Sequence, residues 1–244
     1  MISNEMVYPQ KEVGHKFLGV VFFYMFIGLL ITAGIATILG VLFTNIWPIT
    51  DYSNPEAGTY FWSYMGVLIG ASVAQIILVI WISVSVFKSK KNLWIPYTLY
   101  SICMGVLISS FAIFVPFYIL AISFGLTCLC FGAMALLGYF AKGNLNNIAL
   151  VACGILIGAM LLGLFNLVFF FVFPAAYNII YLIISIVTFG AMMLITMYDV
   201  WKIKKFIERG EMTNNIAMFC AFNLYVDFIY LFIRIVYIVM ISRR

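Results

Sequence analysis

The chain has 244 residues, of which 66% are hydrophobic and only 9% charged, a balance that no soluble domain of this length keeps in solution. Its formal charge of +5 does not point to nucleic acid, because the basic residues are scattered through loops with no basic motif and no aromatic interleaving. The composition describes an integral membrane protein whose first partner is the lipid bilayer.

Crossing a hydrocarbon core of about 30 Å takes roughly 20 apolar residues as a helix, and the apolar runs reach that length, too long for barrel strands. The predicted class is therefore all-α, a polytopic bundle forming one transmembrane domain over residues 1–244. In chain order, polar clusters and Pro/Gly/Asn breaks leave seven runs: Phe17–Phe43, Tyr60–Phe87, Leu93–Val115, Phe117–Phe140, Ile148–Phe173, Ala175–Trp201 and Ile216–Ile241. Residues 1–16 form a short polar head, predicted to be cytoplasmic. The run behind it exceeds the core of a cleaved signal peptide and reads as a retained membrane helix. The third break rests on Pro116 in "FAIFVPFYIL"; unbroken, that stretch would be about twice a bilayer span, so two helices joined by a tight turn are expected. Between the last two runs, "KIKKFIERGEMTNN" is predicted to begin as an extension of the sixth helix that Gly210 ends. The five cysteines (Cys103, Cys128, Cys130, Cys153, Cys220) all fall in apolar runs without CxxC or Cys/His spacing and read as small packing residues.

Orientation follows from the basic residues of the short loops. Lys11 and Lys16 precede the first run; Lys88, Lys90 and Lys91 follow the second, Lys142 the fourth, and Lys202, Lys204, Lys205 and Arg209 the sixth. The alternate loops, around Asp51 and Glu56, Pro116 and Pro174, contain none. The amino terminus and the lysine loops should then be cytoplasmic; Arg243 and Arg244 either reach the opposite side through a seventh full span, the favoured reading, or stay behind because the last run dips in and returns. Compactness and the lack of sorting signals favour a bacterial plasma membrane.

Ionisable groups inside the spans are few: Asp199, Asp227 and Arg234. In the last run Cys220, Asn223, Asp227, Tyr230, Arg234 and Tyr237 recur at steps of three and four and so share one helix face. The sixth run carries Tyr181, Ser185, Thr188, Thr196 and Asp199 close to the same phase, with Tyr198 beside them. Such stripes should turn toward each other or toward water inside the bundle. A local ion pair with Lys202 would account for Asp199. Asp227 lies roughly 16 Å from the start of its helix, too deep to reach the surface; Arg234 could pair with it or snorkel to the far interface. An ionised Asp at mid-bilayer costs roughly 2.5 to 3.5 kcal/mol, and protonating one at pH 7 from a reference value of about 3.9 costs about 4 kcal/mol. The two nearly cancel, so local hydration and neighbouring charge choose the state. Two carboxylates within reach would titrate as a unit, and when ionised they offer hard oxygens suited to Ca²⁺.

"MYDVWKIKKF" followed by "AMFCAFNLYVDFIYLFIRIVYIV" resembles the closing signature of the transmembrane Bax inhibitor motif family: a tyrosine-aspartate on the sixth helix and a last helix of the form LYxDFxxLF. "FFYMFIGLLITAGIA" is similar to that family's first helix, and "CFGAMALLGYFAKGNLNNIALVACGILIGAMLLGLFNLV" to its fourth and fifth. The resemblance implies seven helices, six wrapped around the C-terminal one. It also implies a Ca²⁺-permeable leak without cofactors, gated by a pH-sensing aspartate pair that matches Asp199 and Asp227, both then transient Ca²⁺ ligands. Thr196, Tyr198, Asn223, Tyr230 and Arg234 would support the pair. One departure stands out: some bacterial relatives carry an arginine on the second helix as a latch, whereas "YFWSYMGVLIGASVAQIILVIWISVSVF" has no charge, only Gln75 and serines.

Two rival classes remain. An intramembrane aspartyl protease also uses paired carboxylates, but its second aspartate sits in GxGD with a proline-alanine-leucine sequence downstream, and "LYVDF" has neither. The only histidine, His15, lies outside the spans, which disfavours a serine protease; no enzyme is expected. The other rival is an interaction protein that modulates proteases or cell-death factors through membrane protein partners, although no loop displays an epitope.

Overall fold

The computed structural model describes residues 10–47, 56–86, 93–172 and 174–242. Among them there is no strand, and seven helices follow one another: α1 (Gln10–Val41), α2 (Ala57–Ser85), α3 (Trp94–Phe114), α4 (Phe117–Phe140), α5 (Asn146–Val172), α6 (Pro174–Glu208) and α7 (Asn214–Ser242). Each contains a segment long and apolar enough to cross a membrane, and each corresponds to one predicted run.

α1 overruns its predicted limits, while α6 makes the extension toward Gly210 that the sequence predicts. α1 begins at Gln10, inside the expected polar head, and continues past Val41 into a π-helical turn, Leu42–Ile46. α6 carries on from its apolar part to Glu208. Once a helix is nucleated, each added residue gains a backbone hydrogen bond at little further cost, so polar residues prolong it beyond the apolar stretch. The expected loop charges Lys88, Lys90, Lys91 and Asp51, together with Arg243 and Arg244, lie outside the described residues.

The break at Pro116 is a tight turn between two helices. Pro116 adopts φ −56° and ψ 138°, an extended conformation that ends α3, and its carbonyl accepts from the Ile119 amide at 3.0 Å to open α4. Between α6 and α7, Gly210 takes a positive φ of 74°. Its amide donates to Ile207 O at 3.1 Å while the Glu211 amide donates to Phe206 O at 3.0 Å, the paired bonds of a Schellman stop. Thr213 then caps α7, its hydroxyl accepting from the Ile216 amide at 3.3 Å.

The chain forms two compact units, one of residues 1–110 and 203–222, the other of residues 111–202 and 223–244. In the first, Gly105 of α3 lets α1 approach: a Cβ there would lie 2.9 Å from Thr32 O and 2.7 Å from Ile35 Cβ. Thr32 donates to Ser101 O at 3.0 Å, Tyr97 to Tyr24 O at 2.8 Å, and the Tyr64 and Ser109 hydroxyls bond at 2.9 Å. These bonds satisfy polar groups that lipid cannot. In the second unit, Val115, Ile119 and Val236 form an apolar core against Phe111, Leu120, Phe232, Val239 and Met240. Among the described residues α7 is the most buried of the spans and α2 the least.

Candidate functional site

The second unit brings the two intramembrane acids together. Thr196 and Asp199 lie three positions apart on α6 and so project from one face. The opposing α7 places Asp227 there, hydrogen-bonded to the Thr196 side chain and close enough to Asp199 to feel its charge. Asp227 is only 4% exposed, while Asp199 is partly buried and has Lys202, one turn further on, as its neighbouring cation.

Three contacts set the register of α6 and α7 within this unit. Asp227 meets Thr196, Arg234 Nη1 donates to Ser185 Oγ at 3.3 Å, and the Tyr237 ring stands edge-on to Tyr181 with centroids 4.5 Å apart. Partners descend α6 as they ascend α7, so the two helices run antiparallel. The predicted α6 stripe does face inward: Ser185, Thr188 and Thr196 are all buried. α4 completes the surroundings. Its Phe124 and Phe131 hold Phe228 at 5.6 and 5.5 Å, and at Gly138 it comes so close to α6 that a Cβ would overlap the Met197 carbonyl and lie 3.2 Å from Val200 Cβ.

The hydrogen-bond inventory at Asp227 is incomplete. Thr196 Oγ1 lies 3.0 Å from Met192 O as well as bonding to Asp227, and one hydroxyl hydrogen cannot serve both. With Asp227 ionised the hydroxyl donates to the carboxylate; with Asp227 protonated the acid donates to Oγ1 and the hydroxyl turns to Met192 O. The Thr196 rotor thus follows the proton. The other carboxylate oxygen, Oδ2, is buried without a hydrogen-bond partner among the described residues. Leaving such an oxygen unsatisfied costs about 1–3 kcal/mol, more if charged, so it favours a state in which a proton or a cation occupies it.

The remaining predicted residues are distributed differently. Arg234 does not pair with Asp227; its guanidinium is engaged by Ser185. Tyr230 is 46% exposed and does not join the site: three steps of about 100° leave it roughly 60° round from Asp227, whereas seven leave Arg234 only about 20° off. The side chain of Asn223, half-buried one turn before Asp227, makes no hydrogen bond among the described residues. Tyr198 packs on Trp201, ring centroids 5.7 Å apart, rather than on either acid. Sequence reasoning missed Ser123 and Thr127, fully buried on the inward face of α4; Thr127 donates to Ser123 O at 2.6 Å, and Ser123 Oγ has no hydrogen-bond partner among the described residues. Their i, i+4 spacing in "AISFGLTCLC" was the available signal.

Two carboxylates and a hydroxyl provide fewer oxygens than the six to eight of a resident Ca²⁺. Among the described residues no cluster of three His, Cys, Asp or Glu side chains stands ready to hold a metal. A cation meeting the pair would exchange rather than stay. A family model described as "Inhibitor of apoptosis-promoting Bax1" matches residues 14–244 of the chain. No curated protein matches it.

Proposed function

The chain belongs to the Bax inhibitor-like family of membrane proteins, and on that premise we propose that it is a pH-sensitive Ca²⁺ leak whose gate is the Asp199–Asp227 pair. The observation that carries this reading is the buried, unpartnered Asp227 Oδ2 beside a second carboxylate. Ionised, the pair presents concentrated negative charge and hard oxygens to a passing cation. Protonated, it loses both. Acidification therefore suppresses flux, because uptake of protons removes the charge that draws the ion in. What weighs against an aspartyl protease is the sequence around the second acid, since the aspartate of "LYVDF" does not stand in GxGD. We place the protein in a bacterial plasma membrane with its amino terminus cytoplasmic, as the loop lysines imply.

Purified protein in liposomes loaded with a Ca²⁺ indicator tests the reading. Wild type should pass Ca²⁺ at neutral pH and less in acid, and Asp227→Asn should abolish the flux. Leak of equal size in acid and at neutrality would refute the gate. Cleavage of an added membrane peptide would favour the enzyme, and neither flux nor cleavage would favour a protein that acts through membrane partners.

A further inference from the structure

Arg234 has no part in the gate just described, yet an arginine within a membrane helix is costly and calls for a use. It stands seven residues beyond Asp227 on α7, roughly 10 Å along the axis at about 1.5 Å per residue. A snorkelling arginine would carry its charge toward the nearer helix end. Here the guanidinium is instead held by Ser185, 3.3 Å away, and Ser185 is fully buried, so the charge stays in the seam between α6 and α7. No carboxylate pairs with it among the described residues. On the opposite side of α7, Val236 packs with Val115 and Ile119, flanked by Phe232, Val239 and Met240. In the part-buried seam a charge is screened less than in water and its reach is longer.

We propose that Arg234 is a fixed positive barrier that determines ionic specificity: it slows any cation moving along the α6·α7 seam past the aspartate pair, and slows divalent cations most. The inference rests on the cation-leak reading and deepens it. Coulomb energy is proportional to the charge of the ion, so the barrier that Arg234 raises for a divalent ion is twice that for a monovalent one. Removing it should multiply divalent flux by about the square of the factor gained by monovalent flux.

Ca²⁺ and K⁺ fluxes at neutral pH, measured in liposomes for wild type, Arg234→Gln and Arg234→Lys, test this. Arg234→Gln should raise both, with the Ca²⁺ factor near the square of the K⁺ factor; Arg234→Lys, which keeps the charge, should restore the wild-type ratio. Ser185→Ala, which releases the guanidinium without removing it, should move the ratio toward Ca²⁺ by a smaller factor and serves if the glutamine variant does not fold. If wild type conducts and neither Arg234→Gln nor Ser185→Ala alters the Ca²⁺ to K⁺ ratio, the barrier is wrong and the leak stands. If no variant and no wild type passes either ion, both fall.

Discussion

Thr196 on α6 is hydrogen-bonded to Asp227 on α7, and among the described residues it is the one side chain that partners this buried carboxyl. Thr196→Val keeps the shape and deletes the hydroxyl, leaving both Asp227 oxygens unsatisfied. A loss of about 1–3 kcal/mol is expected, read as a lower unfolding temperature in detergent. Replacing both partners with apolar groups of similar size is close to neutral, so Thr196→Val combined with Asp227→Leu should unfold near the wild-type temperature. If the two losses simply add, the hydrogen bond contributes nothing to stability.

On the proposed leak, protons and Ca²⁺ compete for the same oxygens, which gives a second expectation. Carboxylates bind a cation only when deprotonated, so cation binding and proton binding oppose each other. With one proton displaced per ion, a tenfold rise in Ca²⁺ above its dissociation constant should move the flux profile about one pH unit toward acid. Asp199→Asn removes one of the two acids and should weaken this dependence; Asp227→Asn should abolish flux. A profile that ignores Ca²⁺ concentration would place the sensor elsewhere.

Much of this was legible in the residues, for identifiable reasons. Pro116 marked its turn because a prolyl ring cannot continue α3 and disfavours helical geometry at Val115. Asp227 announced itself because a carboxyl at mid-span is too costly to be incidental. Ser123 and Thr127 stayed hidden for the opposite reason. Hydroxyls are cheap in a membrane helix because they can bond the preceding turn, as Thr127 does with Ser123 O, so their presence does not say which way they face. Tyr230 misled because a phenol is amphipathic enough to sit at an exposed position while matching the polar period. The halt of α6 was foreseen at Gly210, but no pattern of polarity distinguishes the π-helical turn at the end of α1 from ordinary helix.

That halt makes a third test. Gly210 holds φ 74°, where a Cβ crowds the following carbonyl and costs about 1–2 kcal/mol. Gly210→Ala should lower the unfolding temperature, and Gly210→Asn, which tolerates the left-handed region better, should lower it less. Equal tolerance of both would show that the Schellman turn relaxes at no cost.

A close approach near the aspartate pair is between α4 and α6, where a Cβ on Gly138 would overlap the Met197 carbonyl. Backbone cannot swing aside as a side-chain tip can, so Gly138→Ala must push the helices apart or bend one of them. Overpacking of this kind costs about 1–3 kcal/mol. Met197 is next but one to Asp199, and the displaced stretch of α6 is the one that holds Thr196 and Asp199 toward α7, so flux should fall along with the unfolding temperature. Gly125 and Gly132 lie on the same helix, and a Cβ at either would meet nothing within 4 Å. Alanine at either should be neutral or stabilising by up to about 1 kcal/mol, since it gains helix propensity and meets no neighbour. Thermal unfolding and Ca²⁺ flux measured on the three variants separate the contact from the propensity. Equal behaviour at all three positions would mean that α4 does not pack this tightly on α6, and that the placement of Asp199 does not depend on it.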